Sequence, residues 1–239
     1  MSRYLIHSPK PRFAFLANYK AMFSTLYFTL PKYFPMLETY DRTDFPNLDL
    51  KQYVVFTVVR NPYARLVSLY FDKCITDPTK ERGETNEWIL QPSQGQILDA
   101  LRDIRNDEFA IAPVWKNLAH LSQEKDVCRN NFKLLRSITF KEFLTVTDII
   151  LSRDDIDPHF RPQHVFLYTN DQPRFDHLLK VENIEEDWGK VCTILRTNIS
   201  LKRENRTVHK KYHQYFRECD RSFVYKMYKR DFELFKYKK

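Results

Sequence analysis

Arg60 closes a run of apolar and β-branched residues, Val54 to Val59, and is followed by Asn61 and Pro62. A buried strand that ends on an arginine holds a guanidinium at the end of a sheet, a place suited to a doubly hydrogen-bonded anion. Pro62 suits the first turn of a helix, where its missing N–H costs nothing. Within that helix Arg65, Ser68 and Asp72 fall on one polar stripe, beside apolar Tyr63, Leu66, Val67 and Tyr70. The Ser68 hydroxyl is then placed to donate to the same anion as Arg60. Spacing leaves an alternative open, in which Arg60 pairs with an acidic neighbour such as Asp72. His159, in the stretch "DPHFRPQ" from Asp157 to Gln163, supplies an imidazole able to take a proton near neutral pH. It serves equally to order the Arg-Pro turn. His164, Glu38 and Asp41 are the other candidate bases.

The elements that must position these groups alternate between strands and helices. Phe13 to Ala17 and Val54 to Val59 read as buried strands. A helix is predicted from about Ala21 to just before Pro31, and another from Pro62. Residues 78–95 read as an irregular loop, and helices follow at 96–104 and 114–122. Thr139 with Glu142 forms a capping box ahead of a helical run. Residues 165–168 and 175–182 read as two more strands. Asn183 is placed to cap a helix, and apolar residues from Phe223 to Phe232 recur at helical spacing. Strands separated by helices predict an α/β fold with a mainly parallel central sheet flanked by helices. Ligands then sit at the carboxyl ends of the strands, where Arg60 stands.

Composition narrows the chemistry. The chain of 239 residues has only three glycines, which excludes Gly-rich phosphate loops of the GxxxxGK or GxGxxG kind. Its 43% hydrophobic content excludes a disordered chain. The net charge of +8 favours anionic partners without choosing among them. Four dispersed cysteines, with no CxxC pair and no zinc spacing, read as reduced thiols of a cytoplasmic protein. The N-terminal stretch lacks the long apolar run of a signal peptide. No stretch approaches the roughly 20 apolar residues of a membrane span.

The segment "VVRNPYARLVSLYFDK" resembles the 3′-phosphate-binding segment of the sulfotransferases, in particular the type 2 family that includes carbohydrate sulfotransferases. Arg60, Pro62, Arg65, Leu66, Ser68 and Tyr70 match its pattern of strand, turn and helix in register. The loop after Ala17 is similar to the family's 5′-phosphosulfate loop. Lys20 matches its lysine, and Ser24 and Thr25 match its hydroxyl pair in swapped order. Tyr19 stands where the family carries proline, and Phe23 brings bulk where small residues are common. "DPHFRPQ", "FDHLLKVENIEED", "KRENRT" and "VYKMYKRDFELFKY" resemble further family elements, so the likeness runs from about residue 12 to 237.

The resemblance implies a single sulfotransferase domain over residues 1–239 with a P-loop-kinase-like fold. It implies 3′-phosphoadenosine 5′-phosphosulfate (PAPS) as the sulfuryl donor, with Arg60 and Ser68 on the 3′-phosphate and Lys20, Ser24 and Thr25 on the phosphosulfate. Catalysis falls to Lys20, which stabilises the leaving bridge oxygen, and to His159 as base. No metal is required, because the transferred group carries less charge than a terminal phosphate. The partner is a carbohydrate or other hydroxyl acceptor, with neither nucleic acid nor a membrane span involved. Two rival readings remain, a nucleotide-kinase-like phosphotransferase and a non-catalytic polyanion-binding protein.

Overall fold

A computed structural model describes residues 3–41, 49–76, 90–105, 125–201 and 210–239. The elements in chain order are β1 (Arg3–Pro9), β2 (Arg12–Leu16), α1 (Phe23–Thr29), β3 (Glu38–Asp41), β4 (Val54–Val59), α2 (Pro62–Tyr70), α3 (Pro92–Arg105), α4 (Lys125–Ser137), α5 (Phe140–Leu151), α6 (His164–Leu167), β5 (Tyr168–Thr169), β6 (Gln172–Pro173), β7 (His177–Lys180), α7 (Ile184–Ile194), α8 (Glu218–Met227) and α9 (Lys229–Leu234). They group into two compact units. The first is Met1–Arg65 with Pro162–Arg206 and Arg230–Lys238, and the second is Leu66–Arg161 with Thr207–Lys229 and Lys239. The expected helix at 114–122, the loop at 78–89 and the segment Lys202 to Thr207 lie outside the described residues.

The first unit carries a five-stranded sheet in the order β3-β1-β2-β4-β7. Phe13 and Phe15 of β2, with Phe56 and Val58 of β4, bury one face against Leu26 of α1 and Trp188 and Val191 of α7. Ala14, Leu16, Val55 and Val59 bury the other face against Phe166, Leu167 and Phe235. This alternation follows from the two-residue period of a strand, and apolar residues at both parities make β2 and β4 central strands. Burying each of these phenylalanines is worth about 1.5–3 kcal/mol. Thr57, the polar residue within β4, donates its hydroxyl to the Leu16 carbonyl at 2.8 Å, so its burial leaves no unmet donor.

β2–β4 and β4–β7 are parallel, whereas β1 pairs antiparallel with both β2 and β3. The sheet is therefore mixed rather than mainly parallel. The antiparallel half escapes a sequence reading because β1 carries polar His7 and Ser8 in buried positions, which breaks its apolar pattern. Residues 165–168 also depart from expectation. Val165 to Leu167 belong to the helical turn α6, and only Tyr168 starts a strand.

The second unit is helical. It begins at Leu66 within α2, which runs on into a π-helical turn, Phe71–Ile75. α3 packs on α4 and α5, and α8 packs on α5. Pro92 opens α3, earlier than the expected residue 96, because the Gln94 side chain accepts from the Gln91 N–H at 2.9 Å and closes the first turn. The expected capping box is present. The Thr139 hydroxyl accepts from the Glu142 N–H at 3.2 Å, and the Glu142 carboxylate accepts from the Thr139 N–H at 2.8 Å. Tyr70, Phe140, Phe143 and Phe216 form an aromatic cluster in this unit, with the Tyr70 hydroxyl on the Ile138 carbonyl at 2.7 Å.

The single C-terminal helix read from Phe223 to Phe232 is two helices, broken at Tyr228 where φ is −119° and ψ is 24°.

Candidate active site

The carboxyl ends of the adjacent parallel strands β2 and β4 bring two predicted segments together in the first unit. β2 leads into the loop of residues 17–22, in which Lys20 and Met22 both hold left-handed backbone, φ 62° and 61°. Non-glycine residues take that region at a cost, and a pair of them concentrates strain in the loop. β4 leads into Arg60. The Arg60 guanidinium Nη1 donates to the Lys20 carbonyl at 3.4 Å, so the two basic residues share one site.

The backbone around Arg60 is held by side chains. The Arg60 N–H donates to Gln163 Oε1 at 2.9 Å, and Gln163 Nε2 donates back to the Arg60 carbonyl at 2.8 Å. The Asn61 N–H donates to Glu182 Oε1 at 2.9 Å. The Asn61 side chain in turn accepts from the Tyr63 N–H at 2.9 Å, which caps the start of α2. Arg65 is almost wholly buried, and its Nε donates to the Tyr19 carbonyl at 3.2 Å, tying α2 to the Lys20 loop.

Other predicted residues sit as follows. Thr25 is buried in α1, and Ser24 is partly exposed beside it. Ser68 is buried on α2, in the second unit. Of the predicted polar stripe, Arg65 and Ser68 are buried with the apolar residues around them, and Asp72 is partly exposed in the π-helical turn beyond α2. Asp72 forms an ion pair with Lys73 at 2.8 Å.

His159 lies in the second unit, on the turn after α5. Its ring Nδ1 is 2.7 Å from Asp157 Oδ1, and its backbone N–H donates to the same oxygen at 2.9 Å. In the tautomer with its proton on Nδ1, the ring donates to this carboxylate and Nε2 is left to accept a proton, the arrangement a general base requires. Burial opposes ionisation of Asp157, but the hydrogen bonds and charge of His159 prevail and hold its carboxyl below the usual range. The Gln96 side chain accepts from the Asp157 N–H at 2.9 Å and so fixes the turn from α3. Arg161 Nε donates to the Ile156 carbonyl at 3.0 Å, which gives the turn a second tie.

The reserve bases divide. His164, in the first unit, has its Nδ1 2.7 Å from the wholly buried carboxylate of Asp231. Glu38 lies on exposed β3, and the Tyr40 hydroxyl at 2.6 Å holds its carboxyl below the usual value, which lowers its strength as a base. Asp41 closes β3.

Gln163, Asp231, Asp157 and Glu182 are the site residues that sequence reasoning did not single out. Gln163 and Asp157 stand within the recognised "DPHFRPQ" stretch. Asp231 and Glu182 likewise stand within recognised stretches, "VYKMYKRDFELFKY" and "FDHLLKVENIEED", but no local signal gives either of them a role. Tyr237 donates to Glu182 at 2.9 Å, and burial, followed by the nearby Glu182 charge, keeps its hydroxyl protonated well beyond the ordinary range. Among the described residues no group of three or more His, Cys, Asp or Glu side chains is placed to hold a metal ion. Nor, among them, is any helix long and apolar enough to cross a membrane. Cys74, Cys192 and Cys219 are free thiols.

The carboxyl ends of the neighbouring parallel strands β2 and β4 thus bring Arg60 and the Lys20 loop together. The model of the sulfotransferase family matches residues 17–238, nearly the whole chain. The chain belongs to the sulfotransferase family and is a sulfotransferase enzyme. No curated protein and no solved structure matches it.

Proposed function

We propose that this enzyme transfers a sulfuryl group from PAPS to an acceptor hydroxyl, most readily that of a carbohydrate. The observation that carries the reading is the contact of the Arg60 guanidinium with the Lys20 loop at the ends of β2 and β4. An arginine side chain beside a lysine-bearing loop fits a nucleotide with anionic groups at both ends of its ribose. In this reading Arg60 and Ser68 hold the 3′-phosphate, and Lys20, Ser24 and Thr25 hold the phosphosulfate. The acceptor oxygen attacks sulfur, the bridging S–O bond breaks, and its electron pair stays on the bridging oxygen. Lys20 offsets that growing charge. His159, held by Asp157, takes the acceptor proton. The family match spans both compact units, which favours one sulfotransferase domain over the chain, P-loop-kinase-like in its strand-loop-helix anion site. Free, dispersed thiols favour a cytoplasmic setting.

The test is thermal unfolding with adenosine 3′,5′-bisphosphate, the product nucleotide. At a hundred-fold excess over the dissociation constant, stabilisation of about 2.7 kcal/mol is expected. Arg60→Ala should remove most of it, and 5′-AMP should give less. An unmoved melting curve at saturating nucleotide overturns the donor assignment. Turnover of labelled PAPS against an acceptor panel then identifies the acceptor.

A further inference from the structure

The parallel pairing of β4 ends at Thr57 on the β2 side and at Val59 on the β7 side. Arg60 is one residue beyond the last pair on the β7 side and three beyond the last on the β2 side. A single buried amide takes both its N–H and its carbonyl, with Gln163 Oε1 accepting at 2.9 Å and Gln163 Nε2 donating at 2.8 Å. The pair of bonds copies the two-bond exchange of an antiparallel residue pair. Gln163 is wholly buried, so water does not stand in for it. Its own position is held from two sides. Its N–H donates to the buried Asp231 Oδ2 at 2.7 Å, and Asn18 Nδ2, from the Lys20 loop, donates to its Oε1 at 3.2 Å.

We propose that Gln163 is a positioning residue that clamps the Arg60 backbone and so sets the direction in which the Arg60 guanidinium leaves the sheet. The Asn18 bond places the Lys20 loop on the same clamp. An uncharged amide serves both Arg60 groups, whereas an ionised carboxylate offers acceptors alone and an aliphatic side chain offers neither. The nucleotide arm of the test rests on the PAPS reading.

The experiment compares Gln163→Glu and Gln163→Met with the unaltered enzyme. Calorimetric affinity for adenosine 3′,5′-bisphosphate is measured from about pH 8 to about pH 5, below each variant's melting temperature. Gln163→Met should weaken binding about tenfold or more at every pH, the scale of losing both bonds to Arg60. Gln163→Glu should weaken it similarly near pH 8 and recover toward the pH-matched enzyme as the carboxyl gains a proton and can donate again. A merely space-filling side chain gives no such divergence between the two variants. Equal affinity of both variants and the unaltered enzyme, or the same pH profile for both, overturns the clamp. Amide hydrogen exchange in the unaltered enzyme is independent of ligand. The Arg60 N–H should be protected like the mid-strand amides of β4, and rapid exchange there also overturns the proposal. If the unaltered enzyme binds no nucleotide, the donor assignment falls, and the exchange result alone decides the clamp.

Discussion

Lys20 and His159 carry separable predictions at the residue scale. A lysine acting on charge that develops in the transition state contributes more to rate than to ground-state affinity. Lys20→Ala should lower kcat about 10²–10³-fold with a much smaller loss of nucleotide affinity. Parallel losses in both would make the lysine a binding residue only. The Asp157 carboxylate, 2.7 Å from the His159 ring, favours the protonated imidazole electrostatically. Asp157→Asn removes that charge, so the acidic limb of the pH–rate profile should move to lower pH while the rate falls. His159→Ala should remove the limb altogether. If His159→Ala keeps the same limb and near-normal turnover, the base lies elsewhere, and His164 beside Asp231 is tested next. Asp157 is itself held below its usual range, so its contribution to stability is present above the unfolded carboxyl pKa. That contribution is lost as pH falls through the lower, folded value.

At the scale of elements, the legible parts were those whose signals are local. Val54 to Val59 is a strand and Pro62 opens a helix, both as read, because a β-branched run and an N-terminal proline act within a few residues. The Thr139–Glu142 box behaves likewise. Thr139→Ala should lower stability by about 1 kcal/mol, read from denaturant midpoints at unchanged m-value. A change well under this would show that packing of Phe143, Leu144 and Ile150 holds α5 unaided. The run at 165–168 shows the opposite case. Its apolar pattern suits a strand, but the Asp231 carboxylate, far along the chain, accepts the Gln163 and His164 N–H groups at 2.7 and 2.9 Å. That remote acceptor satisfies the first donors of a helical turn, and no local rule announces it. Asn183 precedes α7 as expected, yet its side chain makes no capping bond.

At the scale of the molecule, sulfuryl transfer by this chain should persist in EDTA. The motive is that Lys20 and Arg60 supply positive charge at the strand ends and the transferred group carries less charge than a phosphoryl group. Loss of turnover in chelator, restored by magnesium or zinc, would contradict the proposed chemistry. The sequence by itself determined the alternating α/β plan and the position and order of the two candidate site segments, because strand periodicity, proline and a strand-terminal arginine are short-range signals. It also carried the family likeness, which the match over residues 17–238 bears out. Only the tertiary structure decided that β1 and β3 make the sheet mixed, since strand direction depends on partners distant in sequence. It likewise decided that Arg60 touches the Lys20 loop and that Gln163, Glu182 and Asp231 hold the turns around it. Those bonds join residues about 40 to 120 positions apart, and a buried donor bonds to whichever acceptor the packed chain delivers, a choice no local pattern encodes.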